Sequence, residues 1–459
     1  MQRDIISSEI NHPKLILAQL KNAEKLPFRE ILSADSIAEG IRNTDYRKRI
    51  FTPDIVIWAF LSQVLSEDPS CQAAVARIIS FWVAQGKNPP SANTAAYCKA
   101  RTRLSEESIS TITKVSAEKL EEEAPPQWLW NKKHIKLIDG STVFMPDTPE
   151  NQVAYPQMKN QKAGLGFPIA RIVTVVSYST GAVLDLAISR CFGKGAGEHT
   201  LLRQIMRVFK PGDVALGDCY YASFFLIAKL IELKVDVVFP IHNGRHHDFR
   251  KGVRLGKKDH IMQWKKPKKP EWMSHEDYTA FPEEISMREV EIQNQRKGFK
   301  LKKRIIVTTF LDSRVVSRND LKMIYDYRWC VEIDLKSIKD TMDMGILRGK
   351  TPEMVRKEIW MHILAYNLIR KIMAQAAYIH EKNPRDLSFK LALQMVDAFR
   401  QRGILSEVKK EFYAHLLKAI AYKTIGNRPD RHEPRRLKRR PKNYPLLLKP
   451  RHHYHKKGA

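Results

Sequence analysis

The amino-acid sequence predicts a mixed α/β sheet covered by helices, with one helical region before it and another after it. Three observations predict this. Between residues 132 and 241, short apolar segments read in the order β, β, β, α, β, α, β. Before residue 125 and again from 352 to 420, apolar residues follow helical spacing instead. Hydrophobic residues make up 43% of the 459-residue chain, ordinary for a protein that buries a core.

Asp54 to Ser66 and Ala73 to Gln85 have the apolar spacing of helices. Ser91 or Asn93 can cap a third, short helix that ends in Lys99, Arg101 and Arg103. That basic end reads either as a DNA reader or as a solvated helix terminus. The acidic run from Glu121 to Pro126 reads as a linker. His134 to Met145 is the first expected strand, and Ile169 to Arg190 a hairpin turning at Ser179-Thr180-Gly181. Glu198 to Phe209 is helical, Asp213 to Asp218 a short buried strand, Ser223 to Leu233 a helix and Val235 to Pro240 a strand.

Residues 242–303, rich in Lys, Arg and His, interrupt this order as a small β-rich unit containing Trp264 and Trp272. A long helix starts near Ser317, where Ser317 and Asp320 fit a capping box. The tail from Arg428 to Lys457 holds twelve Lys or Arg against Asp430 and Glu433, and reads as a phosphate-binding arm. The expected units are residues 1–125 (helical, DNA-binding), 130–350 (catalytic, with the insertion at 242–303), 351–425 (helical) and 426–459 (basic tail).

Charge narrows the class of partner. The chain carries 79 Lys and Arg against 50 Asp and Glu, a formal net charge of +29. Such an excess opposes compaction by self-repulsion and calls for a polyanion, with nucleic acid ahead of an anionic membrane surface. No run reaches the ~18 apolar residues of a spanning helix, and Met1 to Ile10 lacks a signal core. Cys71, Cys98, Cys191, Cys219 and Cys330 form no CxxC pair, which argues against a zinc module and suits a reducing cytoplasm.

Three acids stand in informative places. Asp139 ends a predicted strand before Gly140, Asp218 ends another, and Glu332 lies in the late helix. Strand ends converge on one rim of a sheet, where ligands bind, and a helix laid over that rim can add a third carboxylate. At about 100° per residue, Tyr325, Arg328, Glu332 and Lys339 share a sector about 60° wide, beside the apolar set Ile324, Tyr327, Val331, Leu335, Ile338 and Met342. Singly, each acid has a bland reading: a turn for Asp139-Gly140, a salt-bridged face for Glu332. Jointly they fit phosphoryl transfer, in which two Mg²⁺ ions clamp the attacking and leaving oxygens. Without cations, three neighbouring carboxylates would raise one another's pKa.

The spacing Tyr325-x2-Arg328-x3-Glu332-x6-Lys339 resembles the YREK signature of insertion-sequence family four, DDE transposases with an RNase H-like catalytic domain. His362 to Arg370 resembles that family's A-Y-N-L-x-R helix, and Arg439 to Arg451 its C-terminal end; Asp139 and Asp218 sit where it places its first two aspartates. Cys219 departs from the basic residue many relatives carry after the second aspartate; Asp213, at the strand start, is rejected in its favour.

The resemblance implies that Asp139, Asp218 and Glu332 are catalytic ligands for two Mg²⁺ ions, with Mn²⁺ able to substitute. It implies that Tyr325, Arg328 and Lys339 grip DNA near the transposon end. It also implies cut-and-paste transposition: a nick, a hairpin made by the freed 3′-OH, reopening, and joining to target DNA. Trp329, Trp264 and Trp272 are candidates to support a flipped base, with packing as the competing role, and Arg288 is a candidate to contact DNA, with a solvated strand position as the alternative. His242, His246, His247 and His260 lack ligand spacing for zinc and read instead as backbone contacts within the basic insert. The expected partners are transposon-end and target double-stranded DNA and a second copy in a synaptic homodimer, with no membrane. Two rivals remain: an RNase H-like nuclease or resolvase that cleaves without joining, and an inactive DNA-binding relative.

Overall fold

The computed structural model describes residues 50–84, 86, 88–242, 244–293, 303–402, 409–425, 447–450 and 453. The expected basic arm lies almost wholly outside the described residues, as does the chain before residue 50.

Helices α1 (Pro53–Val64), α2 (Cys71–Ala84), α3 (Ala95–Arg103) and α4 (Glu106–Glu122) precede the sheet. Pro at N1 of α1 and the Ser105 hydroxyl, which accepts from Ser108 N at the start of α4, set two of these termini. At the basic end of α3, Lys99 and Arg103 are exposed. Arg101 instead folds inward, donating to Gln63 at 3.1 Å and lying 4.7 Å over the Phe60 ring.

The acidic run read as a linker is the C-terminal turn of α4. Glu121 is buried there, 3.0 Å from His134 and accepting from the Ser177 and Ser179 hydroxyls. The composition of the run resembles a linker, but α4 packs on β3, so one of its acids is turned under the β2–β3 hairpin as a hydrogen-bond acceptor.

The strands are β1 (Ile135–Phe144), β2 (Ile169–Ser177), β3 (Val183–Arg190), β4 (Val214–Leu216), β5 (Asp236–Pro240), β6 (Val253–Gly256), β7 (Asp259–Lys265), β8 (Glu284–Gln293) and β9 (Lys303–Thr308). Among the described residues they form one sheet of order 3-2-1-4-5-9-8-7-6. β1, β2 and β3 are an antiparallel meander, while β4 and β5 run parallel to β1. The 3-2-1-4-5 half, with helices packed on it, is an RNase H-like α/β arrangement. The inserted strands are not a separate unit: β9 pairs antiparallel with β5, and β8, β7 and β6 extend the same sheet.

Crossovers in the first half are α6 (Glu198–Gln204) and α7 (Phe224–Glu232); α5 (Pro149–Ala154) and α8 (His275–Ala280) are short. After β9 come α9 (Arg318–Asp326), α10 (Trp329–Lys336) and a π-helical turn at Ser337–Thr341, then α11 (Pro352–Ile379), α12 (Phe389–Arg402) and α13 (Lys409–Tyr422). α11 is the core helix, buried along most of its length and packed on α1, α4, α12 and α13. No helix among the described residues is long and apolar enough to cross a membrane.

The single long helix expected after Ser317 is broken. It starts on the expected capping box, with Ser317 Oγ accepting from Asp320 N and Asp320 accepting from Ser317 N. At Tyr327 and Arg328 the backbone tightens to i−3 bonds: Tyr327 N to Ile324 O, Arg328 N to Tyr325 O and Cys330 N to Tyr327 O. Tyr327 stacks on Tyr178 of the β2–β3 turn, centroids 4.1 Å apart, which holds the break in place. The π turn then widens the chain, with Met342 N bonded to Ser337 O. Ile324, Val331, Leu335, Ile338 and Met342 nonetheless stay buried, so the apolar face survives both irregularities.

Candidate active site

The β1–β4 ladder places two aspartates together. Leu137 pairs with Leu216 in parallel register, and two residues further on each chain stand Asp139 and Asp218. Neighbouring strands lie about 4.8 Å apart, so both acids occupy one rim. Asp139 is not at a strand end, since β1 runs on to Phe144 against β2. What ends is β4, after three residues, and this leaves the β1 flank open beside Asp139.

Each aspartate is held by its own turn. Asp139 Oδ1 accepts from Gly140 N at 2.8 Å. Asp218 caps the one-turn 3-10 segment Cys219–Tyr221, its Oδ1 accepting from Tyr220 N at 2.8 Å. Asp213, rejected as a ligand from the sequence, is buried under β4 and pairs with Lys136 at 2.5 Å.

α10 packs across β1 and brings Glu332 to the same rim. Burial pushes the Asp139 carboxyl up to about 6; the negative charges of Glu332 and Asp218 add to this, against the pull of the Gly140 N–H and the Arg328 guanidinium. Three carboxylates and one arginine therefore act on one another here. Among the described residues, no three His, Cys, Asp or Glu side chains are closed into a metal cage. Glu332 instead accepts from Arg328 Nη2 at 2.7 Å.

The donor set fits hard divalent cations. It consists of carboxylate oxygens, one of them with a raised proton affinity that a cation would relieve.

The other residues of the late-helix signature surround this rim. Tyr325 accepts from Arg304 Nη1 at 2.8 Å, with the Arg304 and Arg328 guanidinium groups 5.5 and 6.0 Å from its ring. Lys339 stands on the π turn and donates to Ser141 Oγ at 3.1 Å, two residues beyond Asp139. The chain leaving the π turn is stitched to the end of β1, Phe144 N to Gly345 O and Leu347 N to Phe144 O, which keeps Lys339 beside that strand. Trp329, the first residue of α10, is 47% exposed.

The expectation for Arg288 fails, and Trp264 takes its competing packing role. Arg288 is not a DNA contact: it is 0% exposed, forks onto Asp259 at 2.8 and 2.7 Å, and donates to Val316 O at 2.6 Å. It faces inward because α9 covers that face of β8. Trp264 cannot receive a base, being buried with Nε1 donating to Glu289 at 2.8 Å. His260 shares that interior, between Lys251 O at 2.6 Å and Glu289 at 3.2 Å, as packing rather than as a zinc ligand. Trp272 is exposed but lies on the insert, with Arg203 4.2 Å from its ring.

Sequence reasoning missed Glu198, the first residue of α6. Its carboxyl lies against Gly140, and Tyr221 Oη donates to it at 3.2 Å. Burial pushes the Tyr221 phenol upward, and the charges of Glu198, Asp139 and Asp218 push it further. An acid in the first turn of a helix carries no signal beyond favourable dipole placement, so nothing in the sequence marked it.

An RNase H-like sheet with an acidic rim, flanked by Arg, Lys and an exposed Trp, suits an enzyme of metal-dependent phosphoryl transfer on nucleic acid. The transposase DDE-domain family model matches residues 130–368, and the chain belongs to that family. It is 26% identical over 414 residues to the transposase InsG for insertion sequence element IS4 of Escherichia coli (strain K12), covering 88% of this chain and 89% of that one. The cryo-EM structure of the piggyBac transposase synaptic complex with hairpin DNA aligns over 92% of this chain and 87% of its own, with a TM-score of 0.40 and 12% identity. The protein is a DNA transposase of the DDE type, a class whose chemistry depends on divalent metal ions.

Proposed function

We propose that Asp139, Asp218 and Glu332 are the ligands of two Mg²⁺ ions, replaceable by Mn²⁺, in a cut-and-paste transposase that excises its element through a DNA hairpin. The observation that carries this reading is the parallel register of Asp139 beside Asp218, with α10 laid across β1 to supply Glu332. Bound cations supply Lewis-acid stabilisation to the attacking and leaving oxygens of an in-line phosphodiester displacement.

The protein's own groups orient the DNA. When Glu332 turns to the aspartates, the Arg328 guanidinium it leaves is free to fork onto a backbone phosphate. Lys339, held near Asp139 through Ser141, neutralises a second phosphate, and Tyr325 with Arg304 a third. Water first opens one strand at the element's end, breaking the P–O3′ bond and leaving a 3′-OH. That hydroxyl then attacks the opposite strand, closing a hairpin as the flanking DNA leaves. The sharp bend is eased when one base leaves the stack, and the exposed ring of Trp329, next to Arg328 in the chain, receives it. Two copies of the chain pair the two ends.

The test is an excision assay on a plasmid carrying the element's ends, in Mg²⁺. Wild-type protein is expected to give nicked, hairpin and strand-transfer products, and Asp139→Asn, Asp218→Asn and Glu332→Gln none. Cleavage without joining would favour a nuclease or resolvase. Binding unaffected by these substitutions, with no cleavage by wild type, would favour an inactive relative.

A further inference from the structure

We propose that Glu198 is a fourth carboxylate of the centre, a positioning residue that braces both aspartates from outside the ligand set and tightens cation binding between them. The inference rests on reading Asp139 and Asp218 as cation ligands.

Glu198 opens α6, which packs on β2 and β3, and its side chain reaches over to β1. A Cβ built on Gly140 would stand 2.6 Å from the Glu198 carboxyl carbon and 2.7 and 2.9 Å from its oxygens. Gly140 is therefore needed for room: the carboxylate rests against the residue directly after Asp139. Its Oε2 accepts from Tyr221 Oη at 3.2 Å. Tyr221 is wholly buried in the turn that Asp218 caps, packed so closely that a Cβ on Gly217 would stand 2.8 Å from its ring. One carboxylate thus touches the segment of the first aspartate and, through a phenol, the segment of the second. Among the described residues no Lys, Arg or His pairs with Glu198, so its charge adds to the negative potential of the rim. Outer-shell partners of metal ligands typically contribute about 10–100-fold to metal affinity.

The experiment measures Mn²⁺ binding to the full chain by electron paramagnetic resonance, without DNA and without turnover. Glu198→Gln keeps an acceptor for Tyr221 but removes the charge. It is expected to weaken Mn²⁺ binding about tenfold. Gly140→Ala, whose methyl displaces the carboxylate, is expected to weaken it similarly, and the double variant no more than the worse single one. Unchanged affinity in Glu198→Gln, while Asp139→Asn weakens binding, overturns the role of Glu198. Should Glu198→Gln not fold, unchanged affinity in Gly140→Ala overturns it instead. Unchanged affinity in Asp139→Asn overturns the underlying ligand assignment, a separate result.

Discussion

Glu332 and Asp334 stand two residues apart on α10, and arginine holds both carboxylates. Glu332 is half-exposed and has a single guanidinium at 2.7 Å. Asp334 is 0% exposed and receives Arg370, Arg385 at 2.7 Å and the Tyr366 hydroxyl at 3.0 Å, while Arg385 also donates to the carbonyls of Ser177 and Tyr178. About 200° of helix separates the two positions, so one faces α11 and the β2–β3 turn and the other faces the rim. The saturated pair locks the helix in place. The under-satisfied one keeps a carboxylate that can change partners. Burial and the number of donors, rather than residue type, separate a locked acid from one left able to change partners.

The largest effect that would break this contrast is catalytic. Glu332→Gln is expected to cut excision about a thousandfold or more, several kcal/mol of transition-state stabilisation, while changing unfolding stability by less than about 0.5 kcal/mol. Single-turnover cleavage and urea melts check the two halves separately. Asp334→Ala should behave in the opposite sense. It leaves two buried guanidinium groups unmatched and is expected to cost about 3–5 kcal/mol of stability in the same melts.

A third prediction concerns a buried cation on α11. Lys371 is fully buried, its Nζ has no hydrogen-bond partner among the described residues, and burial pushes its pKa down to about 7, against the raising effect of Glu123. The unfolded chain keeps this proton up to about 10.4. Between those values the unfolded state binds more protons, so stability should rise with pH. Lys371→Met is expected to flatten that rise and to add about 1–3 kcal/mol at pH 7, read from urea melts at pH 7 and 10. The smallest expected effect belongs to Lys339→Ala. It should make the salt dependence of end binding shallower by about one unit of slope, since one phosphate fewer is neutralised. Fluorescence anisotropy across a salt series measures it.

Much of the fold was legible because periodicity reports burial. The meander, the short buried strand before Asp218 and the capping box at Ser317 all stand where the pattern puts them. What was illegible depends on packing between segments far apart in the chain. The break at Tyr327 needs Tyr178, distant in sequence, to stack on it. Arg288 sits in an alternating strand, and alternation cannot say which face α9 will cover. Glu121 looked like part of a linker because a run of acids carries no sign of the hydroxyls it will accept from. In the candidate site, the spaced signature marked Glu332 and the predicted strands marked Asp139 and Asp218, whereas Glu198 reaches the rim only because α6 and the Gly140 gap bring it there.

The central claim is that Asp139, Asp218 and Glu332 share divalent cations. Anomalous diffraction from crystals of the full chain with Mn²⁺ and a transposon-end duplex tests it most directly. The expected result is Mn²⁺ density between the Asp139 and Asp218 carboxylates, with Glu332 swung off Arg328 to join them. Mn²⁺ bound elsewhere, with Glu332 still on Arg328, would contradict it.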